Sequence, residues 1–324
     1  MRTGKRFTKI FFATDIHGSE RCFLKLVNAA RFHQADVLIL GGDITGKMIV
    51  PIVHYENGTH RSYFLGHEVV VKTEIELERL EKRVRDSGYY PYLTDSKKAD
   101  EMRHSPAEVD EIFTQLMYET LLRWVKIAEE RLMGSGVKFY VTGGNDDREE
   151  VLQALKTSEY IVNPENKVVH IDDSHEMISC GYSNPTPWNC PRDTSEERLT
   201  KMIDDMASGV HEMSECVFNI HVPPVNSGID SAPKMDTSVT PPKPVVQGGH
   251  VLCTSAGSIA VRKAIEKYQP LLGLHGHIHE SRGFVRIGRS FLMNPGSEYT
   301  EGVLRGAIVN LTKEAILNYQ LVSG

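Results

Sequence analysis

The chain has 324 residues, 40% of them hydrophobic and 25% charged, with a formal net charge of −6, an ordinary composition for a globular protein. The acidic balance excludes a global field that would draw nucleic acid or an anionic membrane surface, and no apolar run approaches a membrane span. Five cysteines, odd in number and irregularly spaced, argue against a disulfide frame or a zinc ribbon and for reduced thiols in a cytoplasmic protein.

The polar, basic N-terminus does not read as a signal peptide. Residues 9–14 read as a buried strand, 19–33 as a helix with Leu24, Val27 and Ala30 on its apolar stripe, and 37–41 as a second strand, giving a βαβ start. Residues 48–136 then form a long, largely helical insertion. It opens with a hairpin-like region at 52–71. A helix starts at the capping box Thr73-Glu74-Ile75-Glu76 and closes at Gly88. Residues 89–92 read as a turn. A second capping box, Ser105-Pro106-Ala107-Glu108, opens a helix to about residue 133. Residues 139–141 are strand-like, and Asp147 reads as the start of a further helix. Strands follow near 167–171 and 176–181, a Pro/Asn-rich loop at 183–193, and helices at 194–208 and 258–268. The segment 222–256 carries six prolines and no sustained period, so it reads as a long loop and a candidate substrate lid. The tail, 284–321, reads as antiparallel strands joined by turns such as Asn294-Pro295-Gly296-Ser297.

The chemistry-bearing residues lie where apolar runs end: Asp15 and His17, Asp43 after Gly41-Gly42, Asn145 and Asp146 after Gly143-Gly144, His221, and His277 and His279. Ligand sites of α/β sheets lie outside the carboxyl ends of strands. Members of each pair two apart on extended backbone would point to one side. Aspartates, histidines and one amide form the donor set of a two-metal hydrolytic centre, with Asp43 as the carboxylate able to bridge ions roughly 3.5–4 Å apart. Mixed imidazole and carboxylate donors suit manganese, iron or zinc better than calcium.

In this order the motifs resemble the calcineurin-like metallophosphoesterases, whose pattern is Asp-x-His, Gly-Asp, Gly-Asn-His, His and Gly-His-x-His, over nearly the whole chain. The resemblance implies an α/β fold, a four-layer αββα sandwich of two mixed sheets flanked by helices, with 1–324 as a single domain. It implies two divalent ions, manganese first, with iron, zinc, nickel or magnesium as alternatives. Asp15, His17, Asp43 and His279 would hold one ion, and Asp43, Asn145, His221 and His277 the other. Asp146 stands where the family has histidine, as in a prokaryotic branch of the family that also lacks it. The implied activity is hydrolysis of a phosphodiester or phosphomonoester through a metal-bridging hydroxide, with Asp43, Asn145 and Asp146 as catalytic residues. The alternative is a catalytically faded metal-binding scaffold of the same fold. Lys47, Arg148 and His250 are candidate substrate contacts, His275 a packed neighbour of the histidine pair, and Glu280 a carboxylate placed to orient a histidine. The expected partner is a phosphate-ester substrate. No membrane is expected, and nucleic acid is disfavoured.

Overall fold

The computed structural model describes residues 7–324. In chain order the first half comprises β1 (Thr8–Ala13), α1 (Glu20–Phe32), β2 (Val37–Leu40), β3 (Ile49–His54), β4 (His60–Phe64), β5 (His67–Val71), α2 (Glu74–Asp86), β6 (Tyr90–Asp95), α3 (Ser96–His104), α4 (Pro106–Leu132) and β7 (Lys138–Val141). The second half continues with α5 (Glu149–Leu152), β8 (Ile161–Val162), β9 (Val168–His170), β10 (Glu176–Cys180), α6 (Glu196–Ala207) and β11 (Val217–Ile220). Six short strands follow, β12 (Ser231–Pro233), β13 (Met235–Asp236), β14 (Lys243–Pro244), β15 (Val246–Gln247), β16 (His250–Val251) and β17 (Cys253–Ser255). The chain ends with α7 (Ile259–Tyr268), β18 (Leu272–Leu274), β19 (Gly283–Ile287), β20 (Ser290–Asn294), β21 (Arg305–Thr312) and β22 (Ala315–Ser323).

Two six-stranded mixed sheets, ordered β22-β21-β1-β2-β7-β8 and β19-β20-β18-β11-β10-β9, stack face to face. Side-chain alternation along the strands builds the layers. Ile10 and Phe12 of β1 face the second sheet, packing with Val37, Ile39, Met177, Val217, Leu272 and Phe291. Their neighbours Phe11 and Ala13 face outward, onto α1 and α4. There Phe23 stacks on Trp124 with centroids 4.3 Å apart, a contact worth about 1 kcal/mol beyond its area. Ile178, Phe218 and Ile220 of the second sheet pack outward on α6 and α7. The molecule is therefore the αββα sandwich expected. The α1 stripe centres on Phe23, Leu26, Val27 and Ala30, with Leu24 at its half-buried margin.

Several local expectations change. Residues 89–92 are not a turn. Tyr90–Asp95 is a strand that pairs in parallel with β3, and with β4 and β5 it completes a four-stranded sheet over residues 49–95. Pro91 is tolerated because β6 lies at the edge of that sheet. The Thr73 capping box forms. The Ser105 box does not: Pro106 sits at the helix start, but the Ser105 side chain makes no cap bond and Glu108 pairs with Lys98 instead. The segment 222–256 is a ladder of short antiparallel pairs, β12 with β17, β13 with β14 and β15 with β16. In the tail, β20 and β21 belong to different sheets, so the turn at Asn294 starts a crossover rather than a hairpin.

Candidate metal centre

The strands β1, β2, β7, β11 and β18 run in parallel within their sheets, and their carboxyl ends deliver Asp15, Asp43, Asn145, His221 and His277 to one end of the sandwich. Two groups of donor atoms result, each within 4.8 Å: Asp15, His17, Asp43 and His279, and Asp43, His221 and His277. Asp43 belongs to both. His17 Nε2 lies 3.0 Å from His279 Nε2 and 3.6 Å from Asp43 Oδ2. His221 Nε2 lies 3.4 Å from Asp43 Oδ1, and His279 Nε2 lies 3.4 Å from Asp15 Oδ1.

The ligand pairs do not converge by extended-strand alternation. Asp15, His17, Asp43 and His277 all have positive φ, at 53°, 37°, 48° and 67°. Such backbone costs about 1–3 kcal/mol per residue and gathers at functional sites. Turned this way, the loop after β1 locks to the loop after β2: the Asp15 and His17 N–H groups donate to the Gly42 and Asp43 carbonyls at 2.9 Å. The same turn sends His277 and His279 to different groups. A Cβ at Gly144 would collide with the carboxylate and the backbone nitrogen of Asp43, so only glycine lets the loop after β7 approach.

Neighbours fix the donor orientations. His221 Nδ1 lies 3.1 Å from the Gly41 carbonyl oxygen, an acceptor that leaves Nε2 free to face the carboxylates. The Asn145 amide donates to Asp193 Oδ1 at 3.0 Å, which aims Asn145 Oδ1 inward, 2.9 Å from His277 Nδ1. The Arg192 main-chain N–H donates to the Asn145 carbonyl, and its buried guanidinium donates to the Gly144 carbonyl at 3.0 Å and to Glu149 and Glu165. Asp147 is not a helix cap. It is fully buried and accepts from the N–H groups of Ile44, Thr45 and Gly144 and from the Thr45 hydroxyl, stapling the Asp43 loop to the Asn145 loop. Burial and the Asp43 charge push the Asp147 carboxyl up to about 6, against the donors that hold it down.

The field is that of buried carboxylates among imidazoles. Burial alone would raise Asp15, but His221 and His279 outweigh it and hold the carboxyl at about 2. Asp43 is likewise held well below the carboxylate range, mainly by His221 and then His17 against burial. Burial would lower His221, but Asp43 and Asp15 raise it to about 9. Burial and Lys47 press His17 down to about 3, and burial and His221 press His277 down to about 4. His17 Nδ1 and His221 Nε2 are buried without a hydrogen-bond partner, whereas buried polar atoms ordinarily have one. Unpartnered imidazole nitrogens beside two ionised carboxylates suit divalent cations.

The remaining candidates separate. Asp146 and Lys47 come together at the rim: the Asp146 N–H donates to Asp43 Oδ1 at 3.0 Å, its Oδ2 lies 3.8 Å from His17 Nδ1, and Lys47 Nζ is 2.8 Å from that Oδ2. Arg148 is not brought to the centre. Its guanidinium donates to both Asp110 oxygens and to Thr114, and lies over Phe113, all on α4. His250 is exposed, paired across from Gln247 in the β15–β16 hairpin, and belongs to neither donor group. Glu280 is exposed. His275 is buried behind the centre, with Nδ1 2.7 Å from the Ile220 carbonyl oxygen. Asp193, Arg192 and Tyr299, whose ring lies 4.8 Å from that of His17, had no signal in the sequence. Their residue types are common, and their partners lie tens or hundreds of residues away.

No protein-family model matches the chain. Over 154 residues it is 29% identical to MJ1162, an uncharacterized protein of Methanocaldococcus jannaschii, a match spanning 47% of this chain and 61% of that protein. One solved crystal structure superposes with a TM-score of 0.59 at 17% identity, covering 98% of both chains. TT1561 of Thermus thermophilus superposes with a TM-score of 0.51 at 12% identity, also over 98% of both chains. At these identities the likeness is one of fold.

Proposed function

We propose that the chain is a dinuclear metal-dependent phosphoesterase, a single metallophosphoesterase domain that prefers phosphodiesters. The observation that carries this reading is the pair of donor groups sharing Asp43, the arrangement that an in-line phosphoryl displacement uses. Asp15, His17, Asp43 and His279 would hold one ion, and Asp43, Asn145, His221 and His277 the other. Manganese is the ion of first choice. Two divalent ions there would activate water and offset the charge that builds on the phosphoryl oxygens.

The chain's own residues do the rest. Asp43 keeps both groups in register, and Asp193 holds the Asn145 amide oxygen toward the centre. Asp146, fixed through its N–H to Asp43, pairs with Lys47 and neutralises it. Lys47 is the lysine whose charge acts on His17 and Asp43, and Asp146 already matches it, so the charge of a bound ester would fall to the ions alone. That balance favours a monoanionic diester.

The test is hydrolysis of aryl phosphodiester and phosphomonoester substrates by manganese-loaded, chelator-stripped and Asp43→Asn protein. The reading requires turnover that depends on metal, is lost in the variant, and is faster on the diester. Two bound ions without turnover of either ester would favour the scaffold reading instead.

A further inference from the structure

Tyr299 belongs to none of the sequence motifs, yet it forms a wall of the first donor group. Its ring lies 4.8 Å from His17, tilted by 51°, and 6.0 Å from His279, edge-on at 89°. The ring cannot drift. It packs against Gly88, at the end of α2, so closely that a Cβ there would touch it at 3.1 Å. Its backbone is pinned in a 3-10 turn at Tyr299–Glu301, closed by the Gly302 N–H donating to the Tyr299 carbonyl at 2.8 Å. The hydroxyl forms no hydrogen bond with any described residue, although the ring is half-buried. The side chain therefore holds a solvent-accessible hydroxyl on a packed ring at the edge of the first donor group.

We propose that Tyr299 is a substrate-contact residue, its hydroxyl donating a hydrogen bond to a non-bridging phosphoryl oxygen of an ester bound over the His17–Asp43–His279 side of the centre. This rests on the phosphoesterase reading and adds to it a neutral donor on the side of the Lys47–Asp146 pair. A neutral donor suits a monoanionic phosphoryl group, because it stabilises oxygen charge without adding a cation to a site where Lys47 is already balanced. Asp146 serves there as a positioning residue, holding the Lys47 ammonium at 2.8 Å.

The test uses Tyr299→Phe, which keeps the ring packing and removes only the hydroxyl. The readouts are inorganic phosphate binding to the manganese-loaded protein by calorimetry, metal content per chain, and kcat/KM on an aryl diester. A hydrogen bond to a charged oxygen is worth about tenfold or more. The expected result is phosphate binding weakened about tenfold with metal content unchanged, and kcat/KM lowered in parallel. Phosphate affinity within about twofold of wild type, or loss of bound metal in the variant, would overturn the assignment; the latter would make Tyr299 a support for His17. Phosphate binding is read without turnover, so failure of the hydrolase reading, seen as an inactive wild type, remains separate from failure of this one.

Discussion

Asn145 is an ordinary amide whose Oδ1 is aimed at the centre because Asp193 accepts from its side-chain N–H while the Arg192 main-chain N–H donates to its backbone carbonyl. Asp193→Ala frees that amide. Because partners behind metal ligands are worth about 10–100-fold in affinity or activity, metal content in the variant is expected to fall from two ions toward one, with the Asp15–His17–His279 group still filled. Two ions at wild-type affinity would show that Asn145 needs no such support. Gly144→Ala is expected to be more severe, because the added methyl lands on Asp43; unaltered manganese binding would refute the close approach. The candidate ligands could be picked out in the sequence because metal chemistry uses particular residue types at strand ends, and the structure gathers Asp15, His17, Asp43, His221, His277 and His279 into two donor groups. The clamp could not be picked out, since aspartate and arginine in a loop at 183–193 look like any solvated pair until the fold buries Arg192. Nor does the sequence reveal that Asp15, His17, Asp43 and His277 adopt left-handed backbone, since aspartate and histidine tolerate it better than most residues but seldom adopt it.

At the level of elements, the segment from β3 to α4 touches the centre through a few points. The Tyr90 hydroxyl accepts from the Gly46 N–H at 2.7 Å, the Ser19 hydroxyl donates to the Asp86 carbonyl at 2.6 Å, and Gly88 meets Tyr299. The far end of α2 carries the Thr73–Glu76 capping box. Thr73→Ala should lower stability by about 1 kcal/mol in denaturant titration and leave hydrolysis unchanged; a matching loss of activity would mean that the helix start also shapes the site. Arg148 binds α4 to the chain just past Asn145. Arg148→Met should therefore reduce stability while moving KM by no more than about twofold, and a large KM effect with stability intact would return Arg148 to the substrate. Helices with caps and apolar stripes could be read from the sequence. The sheet β5-β4-β3-β6 could not, because Tyr90-Pro91-Tyr92 carries turn-like residues and pairs with a strand about forty residues earlier.

Across the whole molecule, the two sheets are tied by a polar contact as well as by their shared core. His175, buried between β9 and β10, places Nδ1 2.7 Å from Asp172 Oδ2 and Nε2 3.0 Å from the Thr312 carbonyl of β21 in the opposite sheet. Burial would lower the His175 pKa, but Asp172 and the carbonyl raise it overall. Burial would raise Asp172, but His175 and neighbouring donors hold it below the carboxylate range. The histidine's contribution is fully present below its unfolded value of about 6.5 and fades as pH rises through the raised folded value. The aspartate's is present above about 3.9 and is lost as pH falls through its depressed value. The stability gap between wild type and His175→Gln should thus be about 1–3 kcal/mol between roughly pH 4 and 6.5 and should narrow at alkaline pH. A gap that stays constant or widens with pH would rule out a charged tie.

The sandwich was expected from the resemblance that the ordered motifs carry; the residues alone read as five short apolar runs, each leading into a ligand-bearing loop. The split of the tail between the sheets was not expected, because β20 and β21 read alike until their partners are known. Everything proposed for the site turns on two ions sharing Asp43. Calorimetric titration of metal-free protein with manganese counts those ions. Two ions per wild-type chain, with binding at both sites severely weakened in Asp43→Asn, is the predicted result. One ion or none in the wild type, or two undisturbed sites in the variant, would contradict it.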